Sequence, residues 1–158
     1  MMMPEDKARH YVSLLPQLSA LVDIACEEVS VLANVSACLH QSFHWLWTGF
    51  YLVRDKQLIL GPFQGDVACY TIGYGKGVCG TAWQKKKTIV VDNVHEFPGH
   101  IACSNLSQSE IVVPLTDAEG KVHAVLDIDS ERLACFDDTD KQYLEQAMDI
   151  VATALYRK

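Results

Sequence analysis

The chain has 158 residues, of which 49% are hydrophobic and 21% are charged, and its formal net charge is −7. This length and composition predict a globular domain with its own core, which excludes disordered and collagen-like proteins. The acidic balance argues against a surface that binds nucleic acid or an anionic membrane. We expect a cytoplasmic protein, since no apolar run approaches the length of a membrane span and the N-terminus lacks an apolar leader.

Apolar residues recur at spacings of three and four near both ends of the chain, which predicts amphipathic helices. Residues 5–43 are predicted to form two helical stretches, and a further helix is predicted over Asp137–Lys158. Cys26 and Cys38 lie on the N-terminal apolar stripes. We expect both to be small buried side chains rather than reactive thiols.

Between these helices, short β-rich runs alternate with turn residues. Strands are predicted at Thr48–Val53, Leu58–Leu60, Val67–Ile72, Thr88–Val91, Ile111–Leu115 and Lys121–Ile128. Gly73–Gly80 is expected to form a loop that enters a short helix over Thr81–Lys85, and Asp92–Gln108 a long irregular segment. The order of elements predicts an α+β fold, in which a central antiparallel sheet carries the N- and C-terminal helices on one face. We expect a single domain over residues 1–158.

Three of the six cysteines lie outside the helical stripes. Cys79 follows a glycine-rich stretch at the expected start of a helix, where free N–H groups and the helix dipole favour a thiolate. Cys69 lies on a predicted strand, and Cys103 lies in the long irregular segment. The absence of any CxxC pair argues against a zinc ribbon, so a metal site formed by these three cysteines and His100 is only a weak alternative.

Three acidic residues form a second group. Asp127 and Asp129 alternate with apolar residues and therefore project from one face of a strand, and Glu110 opens the preceding strand. If that face points inwards, the carboxyls share a pocket of low dielectric, where one of them has a raised pKa and holds a proton near neutral pH. The pattern fits the solvent-exposed face of an edge strand equally well.

Trp47, Gly49 and Tyr51 also share one face of a predicted strand. They could form either an apolar pocket wall or ordinary core packing.

The segments that carry these residues resemble a known family. The strings WTGFYLV, LGPFQGDVACYTI, GYGKGVCGTAW, GHIACSNLSQSEIVVPL and AVLDIDS occur in this order, and together they resemble the free methionine-(R)-sulfoxide reductases, which are single GAF-type domains. The resemblance covers about residues 15 to 155. It implies that Cys103 is the catalytic cysteine, that Cys69 resolves it by forming a disulfide, and that Cys79 is auxiliary.

The resemblance also assigns roles to the acids and the aromatic residues. Glu110, Asp127 and Asp129 match acids that bind and activate the substrate, and Trp47 and Tyr51 match residues of an aromatic pocket. The implied substrate is free methionine sulfoxide, with no bound cofactor. The implied reductant is thioredoxin, supplied with electrons by NADPH through thioredoxin reductase. The amphipathic N-terminal helix is compatible with a homodimer.

The chemistry indicates that the acids matter more than activation of the thiol. Lowering the pKa of a cysteine by about 2.5 units gains roughly 30-fold in thiolate but loses roughly 10-fold in nucleophilicity. A positioned acid that protonates the sulfoxide oxygen raises the reaction rate by a factor of ~10²–10⁴.

The alternative function is a GAF-type module that senses a small ligand or redox state, which predicts no turnover and normally an attached effector domain.

Overall fold

A computed structural model describes residues 2–24 and 27–157. The four helices lie at Pro4–Ile24 (α1), Glu28–Phe43 (α2), Gly77–Lys85 (α3) and Asp138–Tyr156 (α4). The six strands lie at Trp47–Arg54 (β1), Gln57–Gln64 (β2), Thr71–Gly73 (β3), Ile89–Val91 (β4), Ser109–Thr116 (β5) and Val122–Ser130 (β6). Cys26, which we expected to be buried, lies outside the described residues.

The strands form one antiparallel sheet in the order β3-β2-β1-β6-β5-β4. The two long strands β1 and β6 therefore lie side by side at its centre. Side chains alternate between the two faces of a strand, so each of these strands contributes to two different surfaces. None of the helices in the described residues is both long and apolar enough for a membrane span.

One face of the sheet is covered by α1, α2 and α4. Its apolar core joins Phe50, Leu126 and Ile128 of the central strands to buried residues of the three helices. The N- and C-terminal helices thus pack on one face, as the sequence predicted. We call this surface of the sheet the helix face.

A buried ion pair connects the first helix to the last on the helix face. The Lys7 ammonium donates to the Asp140 carboxylate over 2.6 Å, and the Tyr11 hydroxyl donates to the same carboxylate over 2.7 Å. Asp140 also belongs to a capping box with Asp137, which satisfies free backbone N–H groups at the start of α4. Asp140, in the first turn of α4, therefore contributes both to the start of that helix and to the position of α1.

The opposite face of the sheet carries α3 and the long connections, and we call it the site face. Its core joins Trp47 and Tyr51 of β1 to Val125 of β6 and to Val78 and Cys79 of α3. The predicted irregular segment Asp92–Gln108 is largely confirmed, with one 3₁₀ turn over Val94–Glu96.

Two local predictions on the site face were wrong. A strand was expected over Val67–Ile72, but β3 begins only at Thr71, because the chain turns away from the sheet at Gly65 (φ +136°). The glycine-rich loop is also shorter than predicted, since α3 already begins at Gly77. The helix approaches the preceding turn closely there, and a Cβ at Gly80 would overlap the carbonyl oxygen of Gly73. Tertiary contact therefore outweighs the low helix propensity of glycine.

Candidate active site

Three carboxyl groups meet where β5 and β6 pair on the site face. Glu110 lies opposite Asp129, and Val112 lies opposite Asp127, in the antiparallel register. Glu110 and Asp127 are each only 6% exposed. The face that the sequence left undecided therefore points inwards, because the other face of the same strands is already covered by three helices.

Burial among like charges changes the acidity of this cluster. Burial first, and then the charges of Asp127 and Asp129, raise the pKa of Glu110 well above its ordinary value. The pKa of Asp129 is also raised well above its ordinary value, mainly by burial and next by the charge of Asp127. Burial raises the pKa of Asp127 as well, but hydrogen bonds with Glu110 and Cys79 oppose that rise. The pKa values of all three carboxyls are thus raised, so the cluster favours protonated carboxyl groups.

Two of the predicted cysteines are bonded to each other at the edge of this cluster. Cys69 and Cys103 form a disulfide, with 5.6 Å between their Cα atoms. Cys103 lies in the predicted irregular segment, whereas Cys69 lies in the connection between β2 and β3 rather than on a strand. Both residues are partly exposed, so the bond lies between the cleft and solvent.

Cys79 differs from that pair in its environment. It is 3% exposed, in the first turn of α3, and remains a free thiol. Burial first, and then the charges of Asp127, Glu110 and Asp129, raise the pKa of Cys79 well above its ordinary value. The prediction that the helix N-terminus would stabilise a thiolate here is therefore reversed, because three carboxyls and desolvation outweigh the helix dipole.

The aromatic residues of β1 form the wall of the cleft next to β2. The rings of Trp47 and Tyr51 lie 6.0 Å apart, and Trp47 also stacks on Phe63 at 5.1 Å. The glycine between the two aromatics is required by this packing, since a Cβ at Gly49 would overlap the side chain of Phe63. Both aromatics also donate hydrogen bonds to the segment that carries Cys69.

Two neighbours of the acids were not identified as site residues from the sequence. The Ser107 hydroxyl donates to the Asp129 carboxylate over 3.2 Å. The Nε2 atom of His100, previously considered only as a metal ligand, lies 3.7 Å from a carboxylate oxygen of Glu110. Both residues lie in the irregular segment, where no helix or strand periodicity indicates which way a side chain points. They lie near the acids only because of the three-dimensional course of that segment.

These groups line one cleft of about 650 Å³, counting its open mouth. Seven of the eight predicted site residues line it: Trp47, Tyr51, Cys79, Cys103, Glu110, Asp127 and Asp129. Cys69 does not line it but is bonded to Cys103, which does. The proposed metal set of three cysteines and His100 is not available in this state, because two of its thiols are bonded together.

A smaller group of side chains has the spacing of metal ligands. The ligand atoms of Cys79, Glu110 and Asp127 lie within 4.8 Å of one another. Metal ligands must be deprotonated, whereas the raised pKa values of this thiol and these carboxyls favour their protonated forms. A metal ion held here would have to displace those protons, whereas the protonated forms can donate hydrogen bonds or protons to an oxygen atom.

Comparison with known proteins agrees with this geometry. The family model of the GAF domain matches residues 17–155. A free methionine-R-sulfoxide reductase of Escherichia coli is 41% identical, covering 97% of this chain and 95% of that protein. The chain belongs to the free methionine-(R)-sulfoxide reductase family of GAF domains. A GAF domain-containing protein A of Dictyostelium discoideum is 49% identical over 92% of each chain.

Within this reductase family, a solved structure is also similar throughout. The crystal structure of free methionine-R-sulfoxide reductase from Neisseria meningitidis, in complex with its substrate, superimposes with a TM-score of 0.92. The identity is 49%, covering 94% of this chain and 90% of that one. The predicted GAF fold is thereby confirmed.

Proposed function

We propose that this chain reduces free methionine-(R)-sulfoxide, with Cys103 as the attacking thiol and Cys69 as the resolving thiol. Membership of this reductase family makes the chain an oxidoreductase that works through thiols without a prosthetic group. The observation that carries the assignment of residues is that one cleft holds both a Cys69–Cys103 disulfide and a buried carboxyl cluster. Thiol chemistry and proton donation are the two functions that sulfoxide reduction requires.

The environments of the carboxyls suggest different roles for them. Asp127 would bind the substrate ammonium group, since hydrogen bonds with Glu110 and Cys79 favour its ionised form. Glu110 and Asp129, whose pKa values are raised by burial and by the charge of Asp127, would keep protons near neutral pH and direct them at the sulfoxide oxygen. Trp47 and Tyr51 would enclose the S-methyl group, and backbone N–H groups of the loop at Cys103 would hold the substrate carboxylate.

The first step transfers oxygen from the substrate to the enzyme. The Cys103 thiol loses its proton and attacks the sulfoxide sulfur, while Glu110 or Asp129 protonates the oxygen. The hydroxyl group then passes from the substrate sulfur to the sulfur of Cys103, as the substrate S–O bond and the newly formed bond between the two sulfurs both break. Methionine leaves, and Cys103 carries the oxygen as a sulfenic acid. The sulfoxide sulfur gains two electrons and the cysteine sulfur loses two, so the step balances.

The second step forms the disulfide that the structure contains. The Cys69 thiol attacks the sulfur of the sulfenic acid, the S–O bond breaks, and water leaves. The Cα separation of 5.6 Å lies within the range that a disulfide requires. A dithiol reductant of the thioredoxin class would then return both cysteines to thiols, drawing its electrons from NADPH through thioredoxin reductase.

Further features of the protein stay predictions that accompany this proposal. We expect a single domain over residues 1–158 and a cytoplasmic location. A homodimer is compatible with the amphipathic N-terminal helix, on which the apolar side chain of Val12 is 57% exposed. Analytical ultracentrifugation across a range of concentrations measures the assembly state directly.

Replacing the resolving cysteine tests the proposal. With thioredoxin as reductant, Cys69→Ser should form about one methionine per enzyme molecule and then stall, leaving a sulfenic acid on Cys103 that dimedone labels. Cys38→Ser, which changes a partly buried thiol of α2, is the matched control and should turn over repeatedly. Full multiple turnover by Cys69→Ser would contradict the resolving role, and no turnover by the unmodified protein would favour the sensing module.

A further inference from the structure

The segment that carries Cys69 has few attachments of its own. In residues 66–70, all of which the structure describes, one backbone hydrogen bond to another element is present, from the Leu60 N–H to the Tyr70 carbonyl (2.9 Å). Val67 is 88% exposed and Tyr70 is 81% exposed, whereas Ala68 packs, partly buried, against the core of the site face. Contacts from other elements therefore matter for the position of Cys69.

Two side chains of β1 supply those contacts. The Tyr51 hydroxyl donates to the carbonyl oxygen of Cys69 over 2.9 Å. The Trp47 indole N–H donates to the carbonyl oxygen of Asp66, in the same segment, over 3.0 Å. Both donors belong to buried side chains of the central strand β1, so they connect this exposed segment to the buried centre of the sheet.

The Tyr51 hydroxyl is suited to this task at every stage of the reaction. Burial first, and then the charges of Asp127 and Cys79, raise the pKa of Tyr51 far above its ordinary value. The hydroxyl therefore stays protonated and remains a hydrogen-bond donor. The acceptor is the backbone carbonyl of Cys69 rather than its sulfur. Reduction of the disulfide therefore leaves the acceptor of this bond chemically unchanged.

We propose that Tyr51, assisted by Trp47, is a positioning residue for the resolving step. Its hydrogen bond holds Cys69 beside Cys103 after the disulfide has been reduced, so that the thiol is in place when the sulfenic acid forms. The proposal rests on the proposed function for the identity of that step, in which the Cys69 thiol attacks the sulfenic sulfur and water leaves. Tyr51 thus serves both the substrate pocket and the return of the enzyme to its disulfide form.

The disulfide reduction potential tests this proposal without any substrate. In Tyr51→Phe, the reduced chain should hold Cys69 beside Cys103 less often, so the equilibrium constant for disulfide formation should fall, by at most the roughly fivefold factor that one hydrogen bond contributes. That limit corresponds to a potential up to about 20 mV less negative. The measurement is a titration in mixtures of reduced and oxidised dithiothreitol, with the bonded fraction quantified by mass spectrometry.

The matched control is Tyr70→Phe, which removes an exposed hydroxyl from the residue after Cys69. Its potential should equal that of the unmodified protein. Trp47→Phe, which removes the donor to Asp66, is a second variant and should shift the potential in the same direction as Tyr51→Phe. Potentials of both β1 variants equal to that of the control would overturn the proposal.

A kinetic measurement adds a result that general damage to the pocket would not give. After one turnover with excess substrate and no reductant, the rate of disulfide formation divided by the rate of methionine formation should fall about fivefold in Tyr51→Phe. An equal fall in both rates would assign Tyr51 to substrate binding alone and overturn the positioning role. A shifted potential in a protein that reduces no sulfoxide would support the positioning role and contradict only the proposed function.

Discussion

The two faces of the central sheet are formed by the same strands but differ in almost every physical respect. On β6, Leu126 and Ile128 point to the helix face and are fully buried among apolar residues. Asp127 and Asp129 alternate with them and point to the site face, where desolvation raises their pKa values. Alternate residues of one strand thus have different roles. The apolar residues on the helix face stabilise the fold, and this stabilisation offsets the free energy that burying the carboxyls on the site face costs.

The largest effect that separates the two faces is expected at the attacking thiol. Cys103→Ser should abolish NADPH consumption in a thioredoxin-coupled assay with free methionine sulfoxide, since a hydroxyl cannot replace the sulfur nucleophile. Cys38→Ser, on the helix face, should retain the rate of the unmodified protein. An unchanged rate in Cys103→Ser would remove this residue from the mechanism.

The next effect concerns proton donation on the site face. Of Glu110→Gln and Asp129→Asn, the variant that removes the proton donor should lower kcat by a factor of about 10²–10⁴, because an amide cannot donate the proton that the sulfoxide oxygen needs. The free energy of unfolding of either variant near neutral pH should be unchanged or higher, since a buried titrating group has been removed. The check is kcat together with urea unfolding, and a large loss of stability with normal kcat would reverse the assignment.

The helix face should show the opposite pattern. Leu126→Ala should lower the free energy of unfolding by about 2–5 kcal/mol, because it leaves a cavity among the helices. The rate per folded molecule should change little, since this side chain points away from the cleft. Urea unfolding and active-site titration measure the two quantities separately, and a variant with intact stability would show that the helix face is not the main source of stability.

Periodicity predicted much of this division but not which face was the active one. The spacing of apolar residues gave the terminal helices, and the alternation around Asp127 placed both acids of β6 on one face. The direction of that face depends on α1, α2 and α4 covering the other side, which is a contact between distant parts of the chain. The same limit explains the wrong strand at Val67–Ile72, since its β-rich composition does not reveal that the chain leaves the sheet after Gly65.

A smaller effect is expected in the pH dependence of stability. The folded-state pKa of Glu110 is raised, so its protonated form favours folding below the unfolded pKa near 4.5, and this contribution is lost as pH rises through the folded pKa. The unmodified protein should therefore lose stability relative to Glu110→Gln as pH rises above about 4.5, by at most about 1.4 kcal/mol per pH unit. Parallel pH profiles of the two proteins would contradict the raised pKa.

The smallest effect separates the cysteines of the site face from one another. In the reduced protein near pH 7.5, iodoacetamide should label Cys79 at least about tenfold more slowly than Cys103, because thiolates are the reactive form and burial among acids disfavours the thiolate of Cys79. Peptide mass spectrometry over time gives both rates, with denatured protein as the control. Equal labelling rates would mean that the helix dipole prevails over the carboxyls at Cys79.

The most direct test of the account compares turnover of free and peptide-embedded methionine sulfoxide, each supplied as separate sulfur epimers. The carboxyl cluster and the loop N–H groups are proposed to bind both charged ends of the free amino acid. The account therefore predicts thioredoxin-dependent turnover of the free R epimer and little with the S epimer or with either peptide. Equal rates with the peptide substrates, or no turnover of the free R epimer, would contradict it.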